Sequence, residues 1–205
     1  MNPNKPYSES CDQNREHILE IIQPLLTNKG KDKKSVLEVG SGTGQHAVYF
    51  AEKMPHLIWQ TSDQESYHQG IKLWLDDADL NNTPPPIALN VSTDAWPNQS
   101  KSYDAIFSAN AVHIMSWDNV TDFFANAPKQ LATGGLFILY GPFNYNQQYT
   151  SESNARFDIW LKQRDPQSAI RDFEALDTLA NNADMTIKAD HALPANNRVL
   201  VWEKN

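Results

Sequence analysis

An apolar run that leads into three alternating glycines is the feature that most constrains this chain. Residues 35–50 read Ser-Val-Leu-Glu-Val-Gly-Ser-Gly-Thr-Gly-Gln-His-Ala-Val-Tyr-Phe. The run at 36–39 predicts a buried strand, and the pattern at 45–53 predicts an amphipathic helix. Glycine tolerates positive φ and close backbone approach, and the start of a helix offers unpaired N–H groups. The sequence therefore predicts a strand, a tight loop and a helix, with a ligand against the loop.

The alternation of strands and helices continues along the chain. The predicted strands are 57–61, 87–91, 103–108, 136–140, 186–189 and 198–202, and the predicted helices are 66–77, 120–131 and 173–183. The segment Leu-Pro-Ala-Asn-Asn between the last two strands is too short for a crossover helix, so these strands should pair antiparallel. We expect an α/β protein with a Rossmann-like, doubly wound, seven-stranded sheet, mostly parallel with an antiparallel C-terminal strand. This is the layout of class I methyltransferases.

Composition and charge limit the kind of partner. The 205 residues carry a formal net charge of −8, which disfavours binding to nucleic acid phosphates and to anionic membranes. Because no Pro/Gly/Ser-rich linker divides the chain, we expect a single domain over 1–205, with an N-terminal helix at about 12–27 packed on it. The basic run at 29–34 is interpreted as a solvated loop.

Cysteine and histidine usage limits the chemistry further. Cys11 is the single cysteine, which excludes an intrachain disulfide and a cysteine-based zinc site. The histidines lack helical i, i+4 spacing, so we predict no metal. The sequence has no apolar N-terminal stretch that predicts a signal peptide and no run of transmembrane length. We therefore expect a cytoplasmic protein, and the sequence leaves its oligomeric state open.

The spacing of the three glycines favours one class of cofactor. A dinucleotide fingerprint reads G-x-G-x-x-G, and Gln45 stands where that fingerprint needs its last glycine. The glycines are instead Gly40, Gly42 and Gly44, with the acidic Glu38 two residues before them. This pattern resembles motif I of S-adenosylmethionine (SAM)-dependent methyltransferases, in which the loop meets the amino acid part of the cofactor.

Polar residues follow the next three predicted strands. Asp63 comes just after the second strand, where nucleoside-binding α/β proteins place a carboxylate for the ribose hydroxyls, although it could instead cap a helix. In the methyltransferase pattern, Asn90 touches the adenine ring with Val91 alongside; the alternative for Asn90 is a turn residue. Asn110 and His113 follow the fourth strand, where polar side chains face the methyl group and the substrate.

Seven separated stretches carry a resemblance over nearly the whole chain. They are LEVGSGTGQHAVYFA, PHLIWQTSDQ, NAVHIMSW, GGLFILYGPF, SNARFDIWLKQRDP, IRDFEAL and LPANN. In this order they resemble domain of unknown function 938, a methyltransferase-like family to which methyltransferase-like protein 26 also belongs. The chain departs from the family pattern at Gln13-Asn14 before Arg15, at Asn90 and at Ser168-Ala169.

The resemblance implies a class I methyltransferase fold and SAM as cofactor, and it names no substrate. The residues expected to contact SAM are Glu38, Gly40, Ser41, Gly42, Gly44, Gln45, Asp63, Asn90, Val91 and Asn110.

Two histidines are the candidate bases, since imidazole titrates near neutral pH. His113 follows the fourth strand, and His46 lies in the helix after the glycine loop, where it could simply bond a neighbouring loop. The candidate substrate-pocket residues are Tyr140, Phe143, Asp165, Arg171, Asn196 and Asn197. The alternatives for them are a core cap for the aromatic rings, surface ion pairs for the charges and turns for the asparagines.

Three functions remain open from the sequence. The first is a SAM-dependent methyltransferase acting on a small molecule or a protein side chain. The second is a nicotinamide-dependent oxidoreductase, which the misplaced third glycine and the lack of a Tyr-x-x-x-Lys pair disfavour. The third is a SAM-binding or interaction protein without catalysis.

Overall fold

The fold is a seven-stranded sheet with helices on both faces, in a computed structural model that describes residues 4–27, 34–93, 95–96 and 102–205. The strands of the sheet are β1 Lys34–Val39, β2 Leu57–Asp63, β3 Ile87–Ala88, β4 Tyr103–Ala109, β5 Leu131–Gly141, β8 Met185–Leu193 and β9 Asn197–Lys204. Their order across the sheet is β3-β2-β1-β4-β5-β9-β8. The helices are α1 Glu9–Leu25, α2 Gln45–Lys53, α3 His68–Ala78, α4 Trp117–Asn126, α5 Glu152–Arg164 and α6 Phe173–Asn182.

The pairing confirms the predicted fold class. β1 pairs parallel with β2 and β4, and β4 pairs parallel with β5. β9 runs antiparallel to both β5 and β8, as the short connection between the last two strands requires. The carboxyl ends of β1, β2 and β4 therefore lie at one edge of the sheet, where open α/β sheets place their ligands.

Several elements differ from the sequence prediction. α5 and a small parallel pair of strands, β6 Phe143–Asn144 and β7 Arg171–Asp172, were not predicted. β3 is two residues long rather than the predicted 87–91. The predicted helix 120–131 is wrong at both ends: Ser116 caps α4 through its side-chain oxygen, so the helix begins at Trp117. A 3₁₀ turn follows α4, and Leu131 already belongs to β5.

Side chains alternate between two apolar cores, one on each face of the sheet. In β5, Phe137 packs on one face with α4 and α6. The next residue, Ile138, packs on the other face with α1 and α2. Because both faces are covered, the central strands are mostly apolar, and β5 is apolar without interruption from Leu136 to Tyr140.

The N-terminal helix α1 begins at Glu9, three residues before its predicted start. Ile18 and Ile22 are fully buried in the core shared with α2, and Pro24 lies in the last turn. The predicted solvated run at 29–34 lies outside the described residues except for Lys34, which begins β1. Among the described residues no helix has the length and apolar character needed to cross a membrane.

Candidate functional site

The three glycines of the loop after β1 have different surroundings. A Cβ at Gly40 would lie 3.2 Å from Ala111 Cβ, and a Cβ at Gly44 would lie 3.2 Å from Ile71 Cα. Around a Cβ at Gly42, no described atom lies within 4 Å. Gly42 has a φ of 57°, which favours glycine, and its surroundings leave open space. Gly40 and Gly44 thus allow close packing of the chain, while Gly42 leaves open space beside its backbone.

Glu38 lies buried beneath this loop, with 1 % of its surface exposed. Its Oε2 accepts hydrogen bonds from Trp59 Nε1 at 3.1 Å and from Ser41 Oγ at 3.1 Å. Burial raises the pKa of Glu38 to about 7, although both hydrogen bonds act in the opposite direction. The carboxyl group therefore changes charge near neutral pH and ties β1, β2 and the loop together.

Asp63 joins the ends of β1 and β2. Its Oδ2 accepts from Gly42 N–H at 2.8 Å, and its Oδ1 accepts from Gln64 N–H at 2.7 Å. The half-buried carboxylate therefore contacts the glycine loop directly, and the N-cap position of α3 is Tyr67, whose side chain makes no capping hydrogen bond. Burial raises the pKa of Asp63, while the two backbone N–H groups lower it. Each carboxylate oxygen has a further lone pair for a ligand hydroxyl.

Three other predicted cofactor residues, Asn110, Asn90 and Gln45, are each held by contacts to the backbone. Asn110 adopts a φ of 56° at the end of β4 and donates its N–H to Tyr140 O at 2.8 Å. Asn90 Oδ1 accepts from Ser92 N–H at 3.1 Å, in a turn after β3. The Gln45 amide is held by the N-terminal segment: its Oε1 accepts from Ser8 N–H at 2.6 Å, and its Nε2 donates to Ser8 O at 3.2 Å.

The two candidate bases lie in different environments. His46 is buried beneath α1, with Nε2 at 2.7 Å from Asn14 Oδ1 and its ring stacked on Phe50. His113 is 5 % exposed, and among the described residues its Nδ1 has no hydrogen-bond partner. The pKa of each histidine is lowered to about 4. Burial is the main cause for both, and the nearby Arg171 contributes to the lowering for His113. Both rings are therefore neutral at pH 7.

A cleft of about 1010 Å³ opens beside the end of β4, between α1, α5 and the β8–β9 connection. Five of the predicted site residues line it: Asn110, His113, Tyr140, Asp165 and Asn197. The structure thus brings together residues that are up to 87 positions apart in the sequence, from 110 to 197. The cleft is therefore lined by residues from the end of β4, from α1, from α5 and from the β8–β9 connection.

Three predicted substrate residues lie elsewhere. Phe143 is fully buried in the core. The Arg171 guanidinium donates to the backbone carbonyls of Val112 at 3.1 Å, Gln167 at 2.9 Å and Met115. Asn196 is not part of the cleft lining, but its amide donates to the Oγ of Ser153, a lining residue, at 3.2 Å.

The sequence reasoning missed the wall of the cleft. α5 contributes Phe157, Trp160 and Leu161, and α1 contributes Asn14 and His17. The signal for α5 lies in residues 151–166, where Ser151 stands at the N-cap, Lys162 and Arg164 lie in the last turn, and Pro166 follows the end of the helix.

Comparison with solved structures identifies the fold. SibL, an S-adenosylmethionine-dependent methyltransferase in its apo form, is similar with a TM-score of 0.78 and 20% sequence identity over 95% of this chain and 55% of that chain. An O-methyltransferase family protein from Burkholderia thailandensis is similar with a TM-score of 0.75 and 12% identity, over 95% of this chain and 59% of that chain.

An O-methyltransferase family 2 protein from Planctomyces limnophilus, in complex with apigenin, is similar with a TM-score of 0.76 and 16% identity, over 87% of this chain and 53% of that chain. The chain thus spans little more than half the length of these structures. At these identities the likeness shows the class I methyltransferase fold.

A family comparison covers almost the entire chain. The family described as "Protein of unknown function (DUF938)" matches residues 5–204. The resemblance seen in the sequence is confirmed, and the chain belongs to the DUF938 family, with the fold of class I methyltransferases.

Proposed function

We propose that this protein is a SAM-dependent methyltransferase that acts on a small molecule or a protein side chain. The observation that carries the proposal is the 2.8 Å hydrogen bond from Gly42 N–H to Asp63 Oδ2. It fixes a carboxylate suited to ribose hydroxyls against the open part of a glycine loop, at the edge where α/β sheets bind ligands. We further propose a single domain and a cytoplasmic setting, which rest on the sequence alone.

The donor and acceptor groups fit SAM. Gly42 leaves space for the amino acid part of the cofactor, and Ser41 and Glu38 lie directly beneath it. Asp63 would hold the ribose, and Asn90 with Val91 would flank the adenine. Gly40, Gly44 and Gln45 would shape the loop through their contacts with Ala111, Ile71 and Ser8. Asn110 would separate the cofactor from the cleft, which it lines.

Bound SAM would supply a methyl group that is already activated as part of a sulfonium. The task of the protein is then to orient the acceptor and to exclude water. His113 is neutral at pH 7 and lies in the cleft, so its ring can hydrogen-bond and orient an acceptor hydroxyl or amine, while its pKa of about 4 makes it a weak base for the acceptor proton. His46 is already bonded to Asn14 beneath α1, which favours a positioning role for it.

A SAM-binding protein without catalysis is the second candidate. The observation that favours it is the same bond between His46 and Asn14. This bond engages one of the two candidate bases, so that catalysis by a base would depend on His113. An oxidoreductase that uses a nicotinamide cofactor is the third, and the position of Gln45 continues to disfavour it.

Thermal unfolding with SAM, S-adenosylhomocysteine or NAD tests the proposal. A ligand at about 100 times its Kd stabilises the folded state by about 2.7 kcal/mol, which corresponds to roughly 5–10 °C for a chain of this size. SAM and S-adenosylhomocysteine should give this shift and NAD should not. Asp63→Ala should abolish it, while the exposed Asp76→Ala on α3 should keep it. A shift with NAD alone would overturn the proposal, and methyl transfer to a metabolite pool separates the enzyme from the binding protein.

A further inference from the structure

The floor of the cleft is uncharged. Its buried polar side chains include Asn14, His113 and Tyr140, each less than 9 % exposed. Burial keeps His113 neutral, and burial raises the pKa of Tyr140 to about 12, so its hydroxyl stays protonated. A charged ligand group that reached this depth would lose its hydration without gaining an ionic partner, which is costly.

The charged groups of the described lining lie at the mouth instead. Arg164 and Asp165 are exposed and carry opposite charges, and His17 is also exposed. The Arg164 guanidinium lies 4.7 Å from the ring centre of Trp160, so it is already engaged at the rim. The mouth therefore gives no net preference for an anion or a cation.

One wall of the cleft is aromatic. Phe157 and Trp160 stack with ring centres 5.6 Å apart and an angle of 19°, and the ring of Phe157 meets His113 edge-on at 5.4 Å. Trp160 is 46 % exposed and Ile114 is 57 % exposed, although both line the cleft. Because Phe157 and Arg164 already contact the Trp160 ring, this wall offers a ligand apolar contact area.

A gap beside His113 supplies the polar end of the site. A Cβ at Gly141 would lie 3.6 Å from His113 Nδ1 and 3.8 Å from Asn110 Oδ1. Since Gly141 has no side chain, the buried Nδ1, which has no hydrogen-bond partner within the described part of the chain, faces this space. A hydroxyl both donates and accepts, so it satisfies Nδ1 in either neutral tautomer.

We propose that the cleft binds a small, uncharged, largely apolar molecule that packs against Trp160 and Phe157 and directs a hydroxyl group to His113 Nδ1. This proposal rests on the proposed methyl transfer in one respect only, namely that the ligand is the molecule that accepts the methyl group. The chemical preference of the cleft itself can be measured by binding alone.

Isothermal titration calorimetry with four probes of one shape tests this preference on the full chain. The probes are 2-naphthol, naphthalene, 2-naphthoate and 2-naphthylmethylammonium. 2-Naphthol should bind, and each of the others should bind about tenfold more weakly or worse, because they lack the hydroxyl or carry a charge. Equal or tighter binding of either ion, or binding of none of the four, would overturn the proposal.

Variants of the same protein localise the binding. Trp160→Ala should weaken 2-naphthol about tenfold. Ile159→Ala, an exposed neighbour on the same helix outside the cleft lining, should not change binding. His113→Gln should weaken binding too. Gly141→Ala places a methyl group in the same gap while the His113 ring is kept, and it should also weaken binding. Unchanged affinity in Trp160→Ala and Gly141→Ala would refute the assignment.

The two proposals fail separately. If SAM gives no thermal shift while the preference for 2-naphthol holds, methyl transfer is refuted and the cleft chemistry stands. If SAM shifts the unfolding temperature while an ionic probe binds best, the cleft chemistry alone is refuted.

Discussion

The glycine loop and the cleft beside it differ in how fully their polar groups are bonded within the chain. In the loop, Glu38 and Asp63 each accept two hydrogen bonds from neighbouring residues of the chain. In the cleft, the His113 Nδ1 is buried without a partner among the described residues, and Trp160 stays half exposed. The loop is therefore preorganised, as expected for the proposed cofactor site, whereas the proposed acceptor cleft keeps contacts that a ligand could satisfy.

The largest effect should come from removing the support behind the cleft. Arg171 donates to the Val112 and Met115 carbonyls of the segment that carries His113, and its removal leaves these carbonyls unpaired. Arg171→Met should lower the free energy of unfolding by about 4 kcal/mol in urea denaturation. The exposed Arg156→Met on α5 is the control. A loss for Arg171→Met no larger than for the control would show that the cleft is not held this way.

The glycines should separate packing from binding. Gly44→Ala should cost about 3 kcal/mol, because it combines positive φ with a contact to Ile71 backbone. Gly42→Ala should cost only about 1 kcal/mol, since its Cβ meets open space, yet it should abolish the thermal shift with SAM. If Gly42→Ala keeps the full SAM response, the open space there is not the cofactor site.

Glu38 should make stability depend on pH. Its folded-state pKa is raised from 4.5 to about 7, so its contribution is fully present below pH 4.5 and is lost as the pH rises through 7. Relative to Glu38→Gln, the wild-type chain should lose about 2 kcal/mol of unfolding free energy between pH 5 and pH 8. Urea denaturation across this range measures the difference, and parallel curves for the two proteins would contradict the buried, raised pKa.

The smallest effect concerns the wall of the cleft. Ser151 caps α5, and its Oγ accepts from Asn154 N–H at 3.1 Å. Ser151→Ala should cost about 1 kcal/mol and weaken the binding of 2-naphthol. Ser116→Ala, which removes the matching cap of α4, should cost the same without affecting that binding. Equal effects on binding in both variants would mean that α5 has no special part in the cleft.

The two regions also differed in how well the sequence predicted them. The loop could be predicted because Glu38, the glycines and Gln45 are close in sequence, and their φ requirements restrict the residue types. Asp63 could be placed because strand order brings the ends of β1 and β2 together. The contacts of Arg171 could not be predicted, since the carbonyls of Val112 and Met115 lie 59 and 56 positions away and any residue type supplies a carbonyl.

The wall of the cleft formed by α5 could not be predicted from the sequence, for a different reason. Phe157 and Trp160 are apolar residues of a helix and would ordinarily be assigned to a core. Only the fold shows that they face a cleft rather than the sheet. Phe143, which the sequence reasoning placed in the substrate pocket, fills the core instead.

Calorimetric titration of S-adenosylhomocysteine into the wild-type chain, Asp63→Ala and Asp76→Ala tests the central claim most directly. We predict one-to-one binding to the wild type and to Asp76→Ala. Binding to Asp63→Ala should be weakened at least about tenfold, because the ribose hydroxyls of the ligand lose the carboxylate that accepts their hydrogen bonds. The absence of binding to the wild type, or equal affinity in all three proteins, would contradict the assignment of the glycine loop and Asp63 as the cofactor site.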